Sequence, residues 1–202
     1  MGTFQELKNS IETDLHRTDR SADVSAAISS AIRYYERERW WFLEGTATFT
    51  TSASQVYYSV PSDAQTFPDT LLVTISGSKE PVLRKTYSEI DEIDSVNYTG
   101  IPNWWCYYKD KIRLYPVPND NYVMTLSYHK GLTELTPSAS NSWTTEARDL
   151  IKYRAEWLVY KNVLWNPERA KEAKQCELDE YRSIMSQNTR RISSGTIRKH
   201  HW

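Results

Sequence analysis

Glycine is scarce in this chain, six in 202 residues, and cysteine scarcer, with two. Cys106 and Cys176 could pair only once and read as thiols of a reducing cytosol. Neither forms a metal-ligand spacing with the four histidines, His16, His129, His200 and His201. No phosphate-cradling loop is present: SGSKE has a Gly and a Lys, but neither the spacing nor the strand-to-helix context. GxSxG is absent. No apolar run approaches the roughly 18 residues that a membrane span needs, and the N-terminus lacks an apolar signal core. An excess of charge is missing too. With 25 basic and 26 acidic residues and a net charge of −1, nothing global points to nucleic acid or an acidic membrane. Aromatic side chains are what the chain has in abundance: eight Trp and fourteen Tyr. They suit a Trp-rich core and equally suit interfaces, where one ring edge is dry and the other wet.

The length allows one ordinary domain, or one domain with an insertion, and a chain of this size buries roughly 70% of its unfolded surface without staples. Helical periodicity falls at both ends. Thr3 with Glu6 forms a capping box, and Phe4, Leu7, Ile11 and Leu15 follow as one stripe. A second helix from about Asp23 turns Val24, Ala27, Ile28, Ala31, Ile32 and Tyr35 inward. It ends in RYYERERWWFLEG, whose rings are expected to pack the joint between two substructures. From Thr144, TTEARDLIKYRAEWLVYKNVLW predicts one helix with two apolar rows. Leu150, Tyr153, Trp157, Tyr160 and Leu164 form the first, and Ala147, Ile151, Ala155 and Leu158 the second. Such a helix is either central to its domain or in touch with a neighbouring subunit. Asn166, Pro167 and Glu168 then start a last helix running to about Gln187.

Between Thr46 and about Lys130 the pattern is period-two and rich in Thr, Val and Tyr. TATFTTSASQVYYSVP reads as a hairpin, TLLVTI as a buried strand, and PNDN as a turn between KIRLYPVP and YVMTLSYHKG. Met124, Leu126 and Tyr128 share a face with Tyr122. SEIDEIDS reads as a short acidic helix, its carboxylates a solvated face.

The order predicts an α+β chain: an antiparallel bundle of four helices from both ends, a central β-rich insertion and an extended C-terminal arm. The expected boundaries are 1–45 and 144–187 for the bundle, 46–143 for the insertion and 188–202 for the arm. The arm, NTRRISSGTIRKHHW, has Arg190, Arg191, Arg198 and Lys199 and no acid. Ile192, Ile197 and Trp202 are spaced like anchors for a partner's groove. Fully extended, the arm reaches about 50 Å. A frayed basic end is the plainer alternative.

No catalytic residues, metal site or cofactor emerge. Carboxylates are plentiful, so a cell-wall hydrolase acid pair stays open as an alternative. NWWCYYKDKIR offers Trp104, Trp105 and Tyr107 as a sugar-stacking platform, which keeps a carbohydrate-binding module open. In a strand, however, Trp104 and Trp105 point to opposite faces. His129, beside a Gly at a strand end, reads as structural.

Taken in order, DVSAAISSAIRYYERERWWF, YYSVPSD, GIPNWWCYYKDKIRLYPVPNDNYVMTLSYHKGL, EARDLIKYRAEWLVY and the basic arm resemble the head-to-tail adaptor proteins of tailed bacteriophages. The RWWF corner and the LYPVP strand are the more specific pieces. The resemblance implies a non-enzymatic virion structural protein at the head–tail junction, made in the bacterial cytoplasm. It implies a homo-oligomeric ring, dodecameric beneath the portal ring, with a next tail component (a nozzle or second adaptor) on the other side. DNA would pass through the lumen without sequence-specific binding, and no membrane is involved. Residues 188–202 would be the portal-binding arm, with Arg190, Arg191, Ile192, Ile197, Arg198, Lys199 and Trp202 as its contacts. Tyr153, Trp157, Tyr160 and Leu164 on the third helix, with Tyr34 and Arg37 on the second, would face neighbouring subunits.

Overall fold

The computed structural model describes residues 2–64, 70–94, 98–131 and 136–193. The chain divides into two compact units, residues 1–42 with 132–202, and residues 43–131.

In the first unit, α1 (Phe4–Asp14) starts at Thr3, whose hydroxyl accepts from the Glu6 amide while the Glu6 carboxylate accepts from the Thr3 amide. Helix α2 (Ser21–Tyr35) buries the six residues its periodicity marks. The single helix expected from Thr144 is two: α4 (Ser142–Thr145), capped by Asn141, and α5 (Arg148–Asn162). Helix α5 packs on α1, α2, α4 and the last helix, α6 (Pro167–Ser193). It is the central helix of its unit, and Leu150, Ile151, Ala155 and Val159 are buried along it.

The second unit is built on a seven-stranded sheet in the order β1-β9-β3-β4-β6-β7-β2. Its strands are β1 (Glu44–Thr50), β2 (Tyr57–Ser59), β3 (Thr70–Ile75), β4 (Ser78–Arg84), β6 (Trp104–Tyr108), β7 (Lys111–Tyr115) and β9 (Val123–His129). Within this sheet, among the described residues, only the β4–β6 pairing is parallel. A small second sheet joins β5 (Thr99–Gly100) to β8 (Val117–Pro118). Met124, Leu126 and Tyr128 face the main core with Leu71, Val73 and Trp105, as the alternation predicts. Helix α3 (Tyr87–Ile93) lies against β6, where Ile90, Cys106 and Tyr115 form a smaller cluster. SGSKE is the two-residue turn between β3 and β4 and the start of β4, with Ser76 at φ 49° and Gly77 at φ 84° as an I′ turn requires.

These facts correct the expected fold. The chain is α+β with six α-helices among the described residues and a large seven-stranded sheet. It is not a four-helix antiparallel bundle carrying a β insertion, and helices do not form the dominant core. The reason is long-range pairing. The segment expected as one hairpin gives β1 and β2, which do not pair: β1 takes β9 and β2 takes β7. Likewise β7 and β9 flank the PNDN turn without pairing, because β9 lies between β1 and β3. Turn chemistry marks where the chain reverses but does not choose the neighbour.

Candidate functional site

Helices α2, α5 and α6 position Tyr34, Tyr153, Trp157, Tyr160, Arg190 and Arg191. Tyr35 is buried at the end of α2, and its hydroxyl donates to Glu177 Oε1 at 2.6 Å. Arg154 of α5 donates to the same oxygen at 2.8 Å, and Lys174 does so at 2.9 Å. Burial opposes a charge on Glu177, but these three donors outweigh it and hold the carboxyl below its usual range. Burial, then the bond to Glu177, pushes the Tyr35 phenol upward. This knot ties the three helices together.

Tyr34 and Trp157, both expected at a subunit face, meet through the same cation. The Arg154 guanidinium carbon lies 3.4 Å from the Tyr34 ring centre and 5.2 Å from that of Trp157. Tyr34 is 45% exposed, so its outer edge is available. Arg37 is exposed one turn on, beyond the helix. The α5 row itself divides. Tyr153 and Tyr160 line one cleft, with Asp14, His16, Glu156 and Glu172. Trp157 lines another, of about 620 Å³, between α5 and α6. Leu164 is half-buried past the end of α5.

Glu156 is a residue that periodicity missed, since a charged side chain on a central helix gives no apolar signal. It is 6% exposed, and burial pushes its carboxyl up to about 8 against the smaller opposing pull of Lys152. Lys152 lies 3.9 Å from Glu156 but 2.5 Å from Asp14, so its charge is committed to Asp14.

The RWWF corner joins the C-terminal end of α6. Trp40 is fully buried and contacts the rings of Tyr35, Phe42, Trp143 and Tyr181, all in the first unit. Asn188 bridges the backbone of the corner: its Oδ1 accepts from the Trp41 amide at 3.0 Å, and its Nδ2 donates to the Arg39 carbonyl at 2.8 Å. Arg191 stacks over Trp41 at 4.6 Å. Residues 188–193, placed in the arm on sequence grounds, therefore lie in α6, with Arg190 and Arg191 exposed and Ile192 in its last turn. Ile197, Arg198, Lys199 and Trp202 lie outside the described residues.

The alternatives read from the sequence fare poorly on geometry. Trp105 is 1% exposed in the sheet core, while Trp104 stacks on Tyr115 on the other side, so the two do not form one platform. Of the acidic helix, Asp91 and Asp94 hold the buried Arg113 at 3.1 and 2.7 Å, a structural task. Among the described residues, no group of three His, Cys, Asp or Glu could hold a metal ion.

Comparison with known proteins agrees with the resemblance. No curated protein matches the chain. The family model described as SU10 adaptor protein matches residues 2–199, nearly the whole chain. The chain belongs to the SU10 adaptor protein family, a family of phage head-to-tail adaptors, and is a phage adaptor structural protein.

Proposed function

We propose that this protein forms the ring that joins the portal to the tail, that it helps to retain packaged DNA, and that its lumen is part of the DNA exit channel. The family match over residues 2–199 carries this reading. At the level of the family, the chain is a structural adaptor that interacts with portal and tail components at the head–tail junction. The finer assignments are that the ring is dodecameric on the portal and that residues 194–202, continuing from α6, anchor to it. Two physical points support them. A near-neutral chain, at net −1, suits a channel through which DNA must slide without sticking. The segment after Ser193 contains Arg198 and Lys199 and no acid, a charge suited to an acidic partner surface.

A chain ending at Ser193 keeps the Asn188 clamp and isolates the anchor. It should fold as the full chain does and fail to co-sediment with portal. Undiminished portal binding by the shortened chain would remove the anchor assignment.

A further inference from the structure

The cleft between α5 and α6 has an unusual composition. Its apolar lining is Trp157, Pro167, Ala170 and Leu178, and its charged lining residues are Lys161, Lys171 and Lys174, of which Lys174 is paired with the buried Glu177. The helical repeat explains this lining, because residues 167, 170, 171, 174, 175 and 178 share one face of α6 while its acids lie on others. At the mouth stands Trp165, 81% exposed and at φ 51°. A bulky residue in the left-handed backbone region is uncommon, and a ring this large left in water forgoes the stabilisation that burial would give. It is the kind of side chain that dominates protein interfaces.

A surface of matching character occurs in the second unit. Around the end of α3, Ile93, Tyr98 and Ile101 are 39%, 63% and 37% exposed. The Tyr115 hydroxyl donates to the Ile93 carbonyl and the Val117 amide to the Tyr98 carbonyl, so one short strand segment holds both in place. Glu89, Asp91, Glu92 and Asp94 border this patch. Arg113 answers Asp91 and Asp94, and Lys85 answers Glu89, which leaves four carboxylates against two cations.

We propose that the lysine-rimmed α5–α6 cleft of one copy receives the acidic, apolar α3 edge of the next, with Trp165 and Tyr98 at the centre and Lys171 facing Glu92. The occupant is a second copy of this chain, because aromatic and charge complementarity both occur within one sequence. Two different patches meeting head to tail make a heterologous contact, the type that closes into rings. The inference rests on the proposed ring.

The test uses two full-length variants, both with Cys176→Ser to remove the exposed native thiol. One has Leu178→Cys in the cleft, the other Tyr98→Cys on the α3 edge. They are oxidised with copper–phenanthroline on the portal, separately and mixed, while portal co-sedimentation is measured in parallel. The expected result is a disulfide-linked dimer in the mixture and none in either variant alone. Adding Lys171→Glu to the first should lower the yield about tenfold, and Glu92→Lys on the second should recover much of it. Normal co-sedimentation without a mixed dimer overturns the interface and leaves the ring reading standing. Dimers formed by each variant alone overturn the head-to-tail pairing. Absence of both portal binding and dimer overturns the ring reading together with the interface.

Discussion

Glu177 accepts from Tyr35, Arg154 and Lys174 on a single oxygen, so its loss would strand the buried Arg154 guanidinium. Glu177→Ala should cost about 3 kcal/mol, read from urea unfolding by far-UV circular dichroism. An unchanged midpoint would show the knot to be ornamental. Glu156 behaves in the opposite sense. Its carboxyl is pushed from 4.5 to about 8, chiefly by burial, with Asp14 and Asp149 adding to the effect of burial and Lys152 opposing it. The folded state keeps a proton there that the unfolded chain releases near pH 4.5. Stability therefore falls as pH rises from about 4.5 to 8 and stays low above. Glu156→Gln should flatten this slope and raise stability above pH 8 by about 2 kcal/mol or more. A pH profile identical to that of the parent would contradict the assignment.

Among elements, α6 is the one whose end matters most. Asn188 is 4% exposed and satisfies one amide and one carbonyl of the RWWF corner. Asn188→Ala should cost about 1–2 kcal/mol and fray the last turn, seen as faster amide exchange at Trp41. Unaltered exchange there would exclude a clamp. The helices' apolar faces were legible in the sequence: Val24, Ala27, Ile28, Ala31, Ile32 and Tyr35 are all buried, as their spacing requires. So was the core face of β9. What could not be read was partnership. Nothing local in TATFT says that β1 pairs with β9, some eighty residues away in sequence, so the sheet's order is hidden from local pattern while the helical stripes stand out. The end of α6 was missed for a related reason. NTRRIS has no apolar stripe of its own, and Asn188 helps to hold it helical through bonds to a distant segment. At the site, Tyr34 and Trp157 were legible as aromatic positions on helix faces. Arg154, the cation that joins them, and the buried Glu177 were not, since charged residues at inward positions break the pattern that reveals those positions.

For the whole molecule, the claim is assembly: a folded subunit that gains its ring on the portal. Ring formation that depends on the portal would delay assembly until the correct partner is present. Such a chain should be monomeric by itself, and Trp165→Ala, at an exposed position, should leave the melting temperature nearly unchanged while weakening assembly. The most direct measurement is the mass by light scattering of the purified protein, alone and after mixing with its portal. The account predicts a monomer alone and about twelve copies added per portal, the number expected of a dodecameric ring. A protein that stays monomeric beside portal, with no added mass on the ring, would contradict it.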